Sequence, residues 1–289
     1  MIGERRKVLT MLHEQKVSVE EAEGLLDALE QTSEPILERR VEYVTTNPRT
    51  QEMLGYARKA APSNLPVLIV GETGTGKVVL ARVIHQDSPR RDKPFIYANC
   101  ALSPESLVDS ELFGHERGAF TGAIDRKTGL IERANGGTLL LDSIDELPRG
   151  TQAKLLRFIY MGEFERIGGT DTVQVDVRLI AVTNKDLHAE VQADKFRQDL
   201  LDSLNAILLE VLPLRDRPED IPLLADYFLK DSAIQSGHPV PVIASEAMDA
   251  LTTYDWPGNA RELARVMERA LVLCDGETIQ VEHLKKLES

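Results

Sequence analysis

Four apolar residues, Val67-Leu68-Ile69-Val70, run without a break into Gly71-Glu72-Thr73-Gly74-Thr75-Gly76-Lys77. A short continuous apolar run is what a parallel strand covered on both faces requires. The glycines that follow let the backbone wrap a phosphate, with amide N–H groups turned inward and a helix N-terminus behind them. Lys77 supplies a cation for the β- and γ-phosphates. The loop completes the pattern G-x-x-x-x-G-K directly after a strand, so it predicts a strand–loop–helix unit that binds a nucleotide. Val78 stands where the general pattern has Ser or Thr, so no hydroxyl is offered there to Mg²⁺.

Further strands are expected at Phe95-Ile96-Tyr97-Ala98, Thr138-Leu139-Leu140-Leu141 and Val177-Arg178-Leu179-Ile180-Ala181-Val182. Strands alternating with helices imply a parallel sheet built from βαβ units. From Arg217 onward the pattern is helical. The expected organisation is a helical hairpin over 1–30, a linker over 31–41, an α/β subdomain over 42–216 and a small all-α subdomain over 217–289. In the hairpin, Ala22, Leu25, Leu26 and Leu29 share one helical face, and Ser18 with Glu21 reads as a capping box. Two helices this short bury little surface alone, so the hairpin is expected to dock on the main domain, on its own copy or on a partner.

The net charge of −13, from 34 basic and 47 acidic residues, argues against broad DNA binding, which needs clustered Lys and Arg. No run of about 18 apolar residues and no charged-then-apolar leader is present, so no membrane span is expected and a cytoplasmic location is. Cys100 and Cys274 read as two reduced structural thiols. His85 and His115 have no ligand partners at metal spacing and read as structural or surface residues.

The segment Gly118-Ala119-Phe120-Thr121-Gly122-Ala123 fits neither a buried strand nor an amphipathic helix. Small residues surround one aromatic and one hydroxyl, which reads as a mobile tip presenting Phe120 to a partner. Preceded by Glu111-Leu112-Phe113-Gly114-His115-Glu116-Arg117, this hexamer resembles the GAFTGA loop of the AAA+ domain of bacterial sigma-54-dependent activators. The resemblance spans roughly residues 42 to 287. It implies an AAA+ P-loop fold with a helical lid, ATP and Mg²⁺ as cofactors, and a homo-oligomeric ring, a hexamer in the family. It also implies contact with sigma-54 and its RNA polymerase holoenzyme through the hexamer. Members of the family usually continue into a DNA-reading helix-turn-helix; none is expected here, and so no direct DNA contact.

The resemblance also assigns roles. Gly71 to Lys77 with Val78 would hold the nucleotide, although the family generally has Glu at position 78. Asp142, at the end of an apolar strand, suits the Mg²⁺ site. The family's water-polarising Glu should follow, but Ser143 stands there, and a serine hydroxyl is no base near neutral pH. Asp145, two residues on, would reach the same side if the strand continued; its plainer reading is a solvated helix cap. Asn99 matches the switch asparagine and is left to pair with Ser143 or with water. Phe196-Arg197-Gln198-Asp199-Leu200-Leu201-Asp202-Ser203-Leu204 resembles the arginine-finger segment: Arg197 is the first finger, and Ser203 replaces the second. Without that context Arg197 would read as a surface ion pair. Asn184 matches the γ-phosphate sensor, and Arg261, in Trp256-Pro257-Gly258-Asn259-Ala260-Arg261, the second sensor. Gln152 to Arg157 and Glu163 to Gly169 match a helix and a second surface loop.

Two expectations remain side by side. An active motor is favoured by Lys77, Asp142, Asn184, Arg197, Arg261 and the intact hexamer. Weakened hydrolysis is favoured by Ser143 and Ser203, with binding positions kept. In its extreme form the second is a non-hydrolysing ATP-gated module, or a regulatory subunit in mixed rings with an active paralogue. An unrelated AAA+ remodeller is opposed by the hexamer.

Overall fold

Asn47 caps the first described helix. Its side chain accepts from Thr50 N at 2.9 Å, and Pro48 sits in the first turn, where an N–H would have no partner. This helix, α1, runs Pro48–Ala60. The structure, a computed structural model, describes residues 41–101, 105–120, 122–275 and 277–284. The expected hairpin with Ser18 and Glu21, the linker up to residue 40, Thr121 and the last five residues lie outside them.

Strand β1 (Val67–Val70) leads through the glycine loop into α2 (Lys77–Gln86), and β2 is Phe95–Asn99. Next come α3 (Glu105–Phe113), the short pair β3 (Gly114–His115) and β4 (Lys127–Thr128), the single turn α4 (Leu130–Arg133) and β5 (Thr138–Asp142). Helix α5 (Arg149–Met161) precedes a hairpin of β6 (Glu163–Glu165) and β7 (Thr172–Gln174). Strand β8 (Arg178–Thr183), α6 (Leu187–Gln192), α7 (Gln198–Leu204) and β9 (Ile207–Glu210) close the α/β part. The lid comprises α8 (Ile221–Ser236), α9 (Ser245–Thr253) and α10 (Asn259–Leu273).

The main sheet is parallel throughout, in the order β2-β5-β8-β1-β9. Side chains alternate between its faces. Leu68, Ala98, Leu139, Leu141, Leu179 and Ala181 join one buried cluster. Val67, Ile69, Leu140, Ile180, Val182, Ile207 and Leu209 join the other. The registers place Asn99 beside Asp142, Asp142 beside Val182, and Val70 beside Thr183. The carboxyl ends of four strands therefore meet at one edge, where ligands of open α/β sheets bind. The parallel α/β sheet and helical lid agree with the sequence reading. Strand β9 was missed: its apolar run, Ile207-Leu208-Leu209, is short and follows directly on α7, where strand and helix read alike.

The lid has its own core around the fully buried Trp256, whose Nε1 donates to Leu251 O at 2.8 Å. Buried Asp220, just before α8, accepts from Thr45 Oγ1 at 2.7 Å, Thr46 N at 2.5 Å and Asn47 N at 3.0 Å. The start of the lid is thereby tied to the chain entering α1.

His85 is buried on α2, with Nδ1 3.0 Å from Thr138 Oγ1, which agrees with a structural role. Burial holds its imidazole below the ordinary value. The unfolded chain thus takes up the proton at a higher pH than the folded one, and stability rises with pH between the two values. The expected result is a melting temperature that falls as pH drops below about 6.5. The loss should be smaller in His85→Gln, read by thermal denaturation across pH.

Candidate functional site

The glycine loop is shaped by backbone demands that side chains cannot meet. Gly74 has φ +83, and a Cβ there would lie 2.2 Å from Gly258 O of the lid. Gly76 has φ +100 and packs against the ring of Tyr43. Only glycine adopts such angles without strain. The Thr75 carbonyl accepts from Tyr43 Oη at 3.0 Å and from Arg217 Nη2 at 2.9 Å. Lys77 folds back over the loop, donating to Gly71 O at 2.6 Å and Glu72 O at 2.8 Å. Burial pushes its ammonium down from the usual range, opposed by Asp142.

The lid is fastened to this loop. Arg215 binds the Glu72 carboxylate through both oxygens, at 2.8 and 2.5 Å. Asn259 Nδ2 donates to Glu72 Oε2 and to Thr73 O, each at 3.1 Å. The hydrogen bonds from Arg215 and then Asn259 hold the Glu72 carboxyl down at about 2, so it stays ionised. Asn259 is itself buried with φ 54, and Arg261 N donates to Gly74 O at 3.3 Å.

A cleft of about 340 Å³ opens between loop, strand ends and lid. Its lining gathers Thr73, Gly74, Gly76, Lys77 and Val78 with Asp142, Ser143, Asn184 and Arg261, while Phe228 of α8 contributes a lid wall. Asn184 Nδ2 donates to Thr73 Oγ1 at 3.0 Å. Gly71, Glu72 and Thr75 support the loop through the contacts above. Asn99 and Arg197 do not line this cleft.

Asp142 accepts from Tyr97 Oη at 2.8 Å. Burial, followed by this hydrogen bond, pushes the Tyr97 phenol up, so it remains a donor. Ser143 takes a left-handed backbone, φ 58 and ψ 48. Asn99 Oδ1 accepts from Ala101 N at 3.0 Å. Asp145 is no solvated cap. It is buried, accepts from Thr183 Oγ1 at 2.6 Å and faces Lys185 Nζ at 3.2 Å. It is thus bonded to β8 and absent from the cleft lining.

Arg197 pairs with Asp199 through Nε at 2.9 Å and Nη2 at 2.7 Å, so within one chain it is a surface ion pair. Ser203 Oγ donates to Asp199 O at 2.8 Å and lies 3.0 Å from the Tyr160 hydroxyl, from which it can accept.

The hexamer lies outside the cleft lining. Gly118 N donates to Ala123 O at 2.8 Å and Ala123 N to Phe120 O at 3.0 Å, closing a turn. Phe120 is 40% exposed and meets His115 edge-on, with ring centroids 4.9 Å apart. His115 Nδ1 lies 2.8 Å from Ser110 Oγ. The second loop is clamped beneath: Glu116 N donates to Ile167 O and Ile167 N to Gly114 O, each at 3.0 Å. Buried Arg166 bonds Glu132 at 2.7 Å and Glu116 at 3.2 Å. Gly168 leaves no room for a Cβ beside Ala119. Tyr97, the Glu72–Arg215–Asn259 link and this clamp escaped the sequence reading, since each joins residues far apart in the chain.

A parallel sheet with a glycine loop after β1 and a helical lid above it defines an AAA+ P-loop module. Residues 43–210 match the sigma-54 interaction domain and residues 215–287 the AAA+ ATPase lid domain. The chain belongs to the sigma-54 interaction domain family. It is 52% identical over 241 residues to the regulatory protein AtoC of Escherichia coli, covering 83% of this chain and 52% of AtoC. It is 47% identical over 232 residues to the Nif-specific regulatory protein of Azotobacter vinelandii, covering 80% and 44%. The chain thus spans about half the length of these relatives. Among solved structures, NtrX from Brucella abortus in complex with ATP superposes with a TM-score of 0.79 at 33% identity, covering 95% of this chain and 59% of that one. Among the described residues no helix is long and apolar enough to cross a membrane.

Proposed function

We propose that this chain is the ATP-binding module of a regulator of sigma-54-dependent transcription, contacting sigma-54 RNA polymerase through Gly118 to Ala123, with weakened ATP hydrolysis. The observation that carries the proposal is the convergence of Lys77, Asp142, Asn184 and Arg261 on one cleft, with Ser143 directly after Asp142. Gly71 to Lys77 would cradle the phosphates, with Lys77 released from its two carbonyls to the β- and γ-phosphates. Asn184 and Arg261 would read the γ-phosphate from the β8 and lid sides. Asn99, next to Asp142 across the sheet, would serve as the switch residue.

Asp142 suits Mg²⁺, which takes one or two carboxylates together with substrate phosphates and keeps several waters. Among the described residues no cluster of three His, Cys, Asp or Glu side chains offers a fuller cage. When bound, Mg²⁺ would neutralise charge on the β- and γ-oxygens. The chain's own defect is at the water: the cleft side chain beside Asp142 is a hydroxyl, and buried Asp145 is no substitute. In a homo-oligomeric ring, a hexamer by family, Arg197 would leave Asp199 for the neighbouring subunit's nucleotide, and Ser203 would bring no second charge.

Replacing Lys77 by Ala is expected to weaken ATP binding about 10- to 100-fold, the scale of a lost charge-assisted hydrogen bond. Titration calorimetry reads this directly, and unchanged affinity would refute the nucleotide site.

A further inference from the structure

Tyr97 has no role in the site as assigned so far, yet it holds Asp142, the cleft carboxylate that suits a cation. It sits on edge strand β2, two residues before Asn99 and on the same face. Its hydroxyl donates to Asp142 Oδ2 at 2.8 Å across the β2–β5 pair. Lys77 Nζ is engaged with two loop carbonyls. Val78 brings no hydroxyl to the loop side. The aspartate is thus held by a phenol from the neighbouring strand.

We propose that Tyr97 is a positioning residue for the divalent cation that accompanies the nucleotide, fixing Asp142 through Oδ2 and leaving Oδ1 to the cation or its waters. The proposal rests on the nucleotide-site assignment above. A ligating carboxylate held by an outer hydrogen bond is pre-oriented, and removing such a bond typically costs 10- to 100-fold in metal affinity. The Tyr97 ring is 46% exposed, so the bond to Asp142, rather than core packing, is what Tyr97→Phe removes.

The test uses the full chain and a fluorescent ATP analogue, titrated with Mg²⁺ and also measured in chelator. The natural chain is run beside Tyr97→Phe, Asp142→Asn and the double variant. Tyr97→Phe should raise the half-saturating Mg²⁺ about 10-fold, with binding in chelator and melting temperature unchanged. In the Asp142→Asn background it should change nothing further. An unchanged Mg²⁺ dependence would overturn the proposal while leaving the nucleotide site standing. So would an equal loss in Mg²⁺ and in chelator, or a shift to lower Mg²⁺. Failure of the natural chain to bind the analogue at all would overturn both.

Discussion

Placing Glu at 143 and Arg at 203 together is expected to raise ATP turnover at least ~1000-fold. A positioned base contributes about 10²- to 10⁴-fold, and an arginine finger about 10³- to 10⁵-fold. Both acting in one step makes the gains non-additive, so the lower bound is the safer figure. The geometry accommodates each change. Position 143 already lines the cleft beside Asp142. Its left-handed backbone, φ 58, costs a non-glycine residue about 1–3 kcal/mol, and Ser143 already bears that cost. At 203, the serine gives up hydrogen bonds to Tyr160 and Asp199 O. Tyr160 is 67% exposed, so a longer side chain has room to extend. Phosphate release by the natural chain, the two single variants and the double variant reads the effect. A double variant that binds ATP and remains at the natural chain's rate would place the defect elsewhere.

Phe120→Ala should abolish most of the proposed contact with sigma-54 polymerase while sparing nucleotide binding. The ring is partly exposed, touches His115 and lies on a turn flanked by Gly118 and Gly122, where an added Cβ would meet nothing within 4 Å. Little folding energy therefore depends on it. A central aromatic at an interface is worth about 2 kcal/mol or more, which corresponds to a loss of roughly 30-fold in affinity. Anisotropy of labelled holoenzyme against the nucleotide-loaded chain measures this, with ATP affinity as the control. Equal holoenzyme affinity for both chains would remove Phe120 from the contact.

The glycine loop was legible because phosphate binding by backbone amides leaves little choice of residue at Gly74 and Gly76. Strands β1, β5 and β8 were legible because strands buried on both faces read as apolar runs, and edge strand β2 because Phe95-Ile96-Tyr97-Ala98 is apolar even where exposed. Strand β9 was not, because Ile207-Leu208-Leu209 is a short run directly after α7 and reads equally well as helix. Asp142 was placed by the strand it ends and Asn184 by the strand it follows. What surrounds them depends on sheet register: Tyr97 reaches Asp142 only because β2 lies beside β5 with Asn99 opposite Asp142. Asp145 illustrates the converse. Its sequence neighbours suggest a solvated cap, whereas the short helical turn after β5 carries it under Thr183. Arg197 fits both descriptions weighed from sequence, a finger by motif and an ion pair by contact, because its partner Asp199 lies in the same segment.

The most direct measurement follows ATP binding and phosphate release together as the concentration of the natural chain rises. The account predicts saturable binding, lost in Lys77→Ala, with release staying near background at every concentration. Release that climbs with concentration would show an assembled, working motor and contradict the weakened hydrolysis proposed from Ser143 and Ser203.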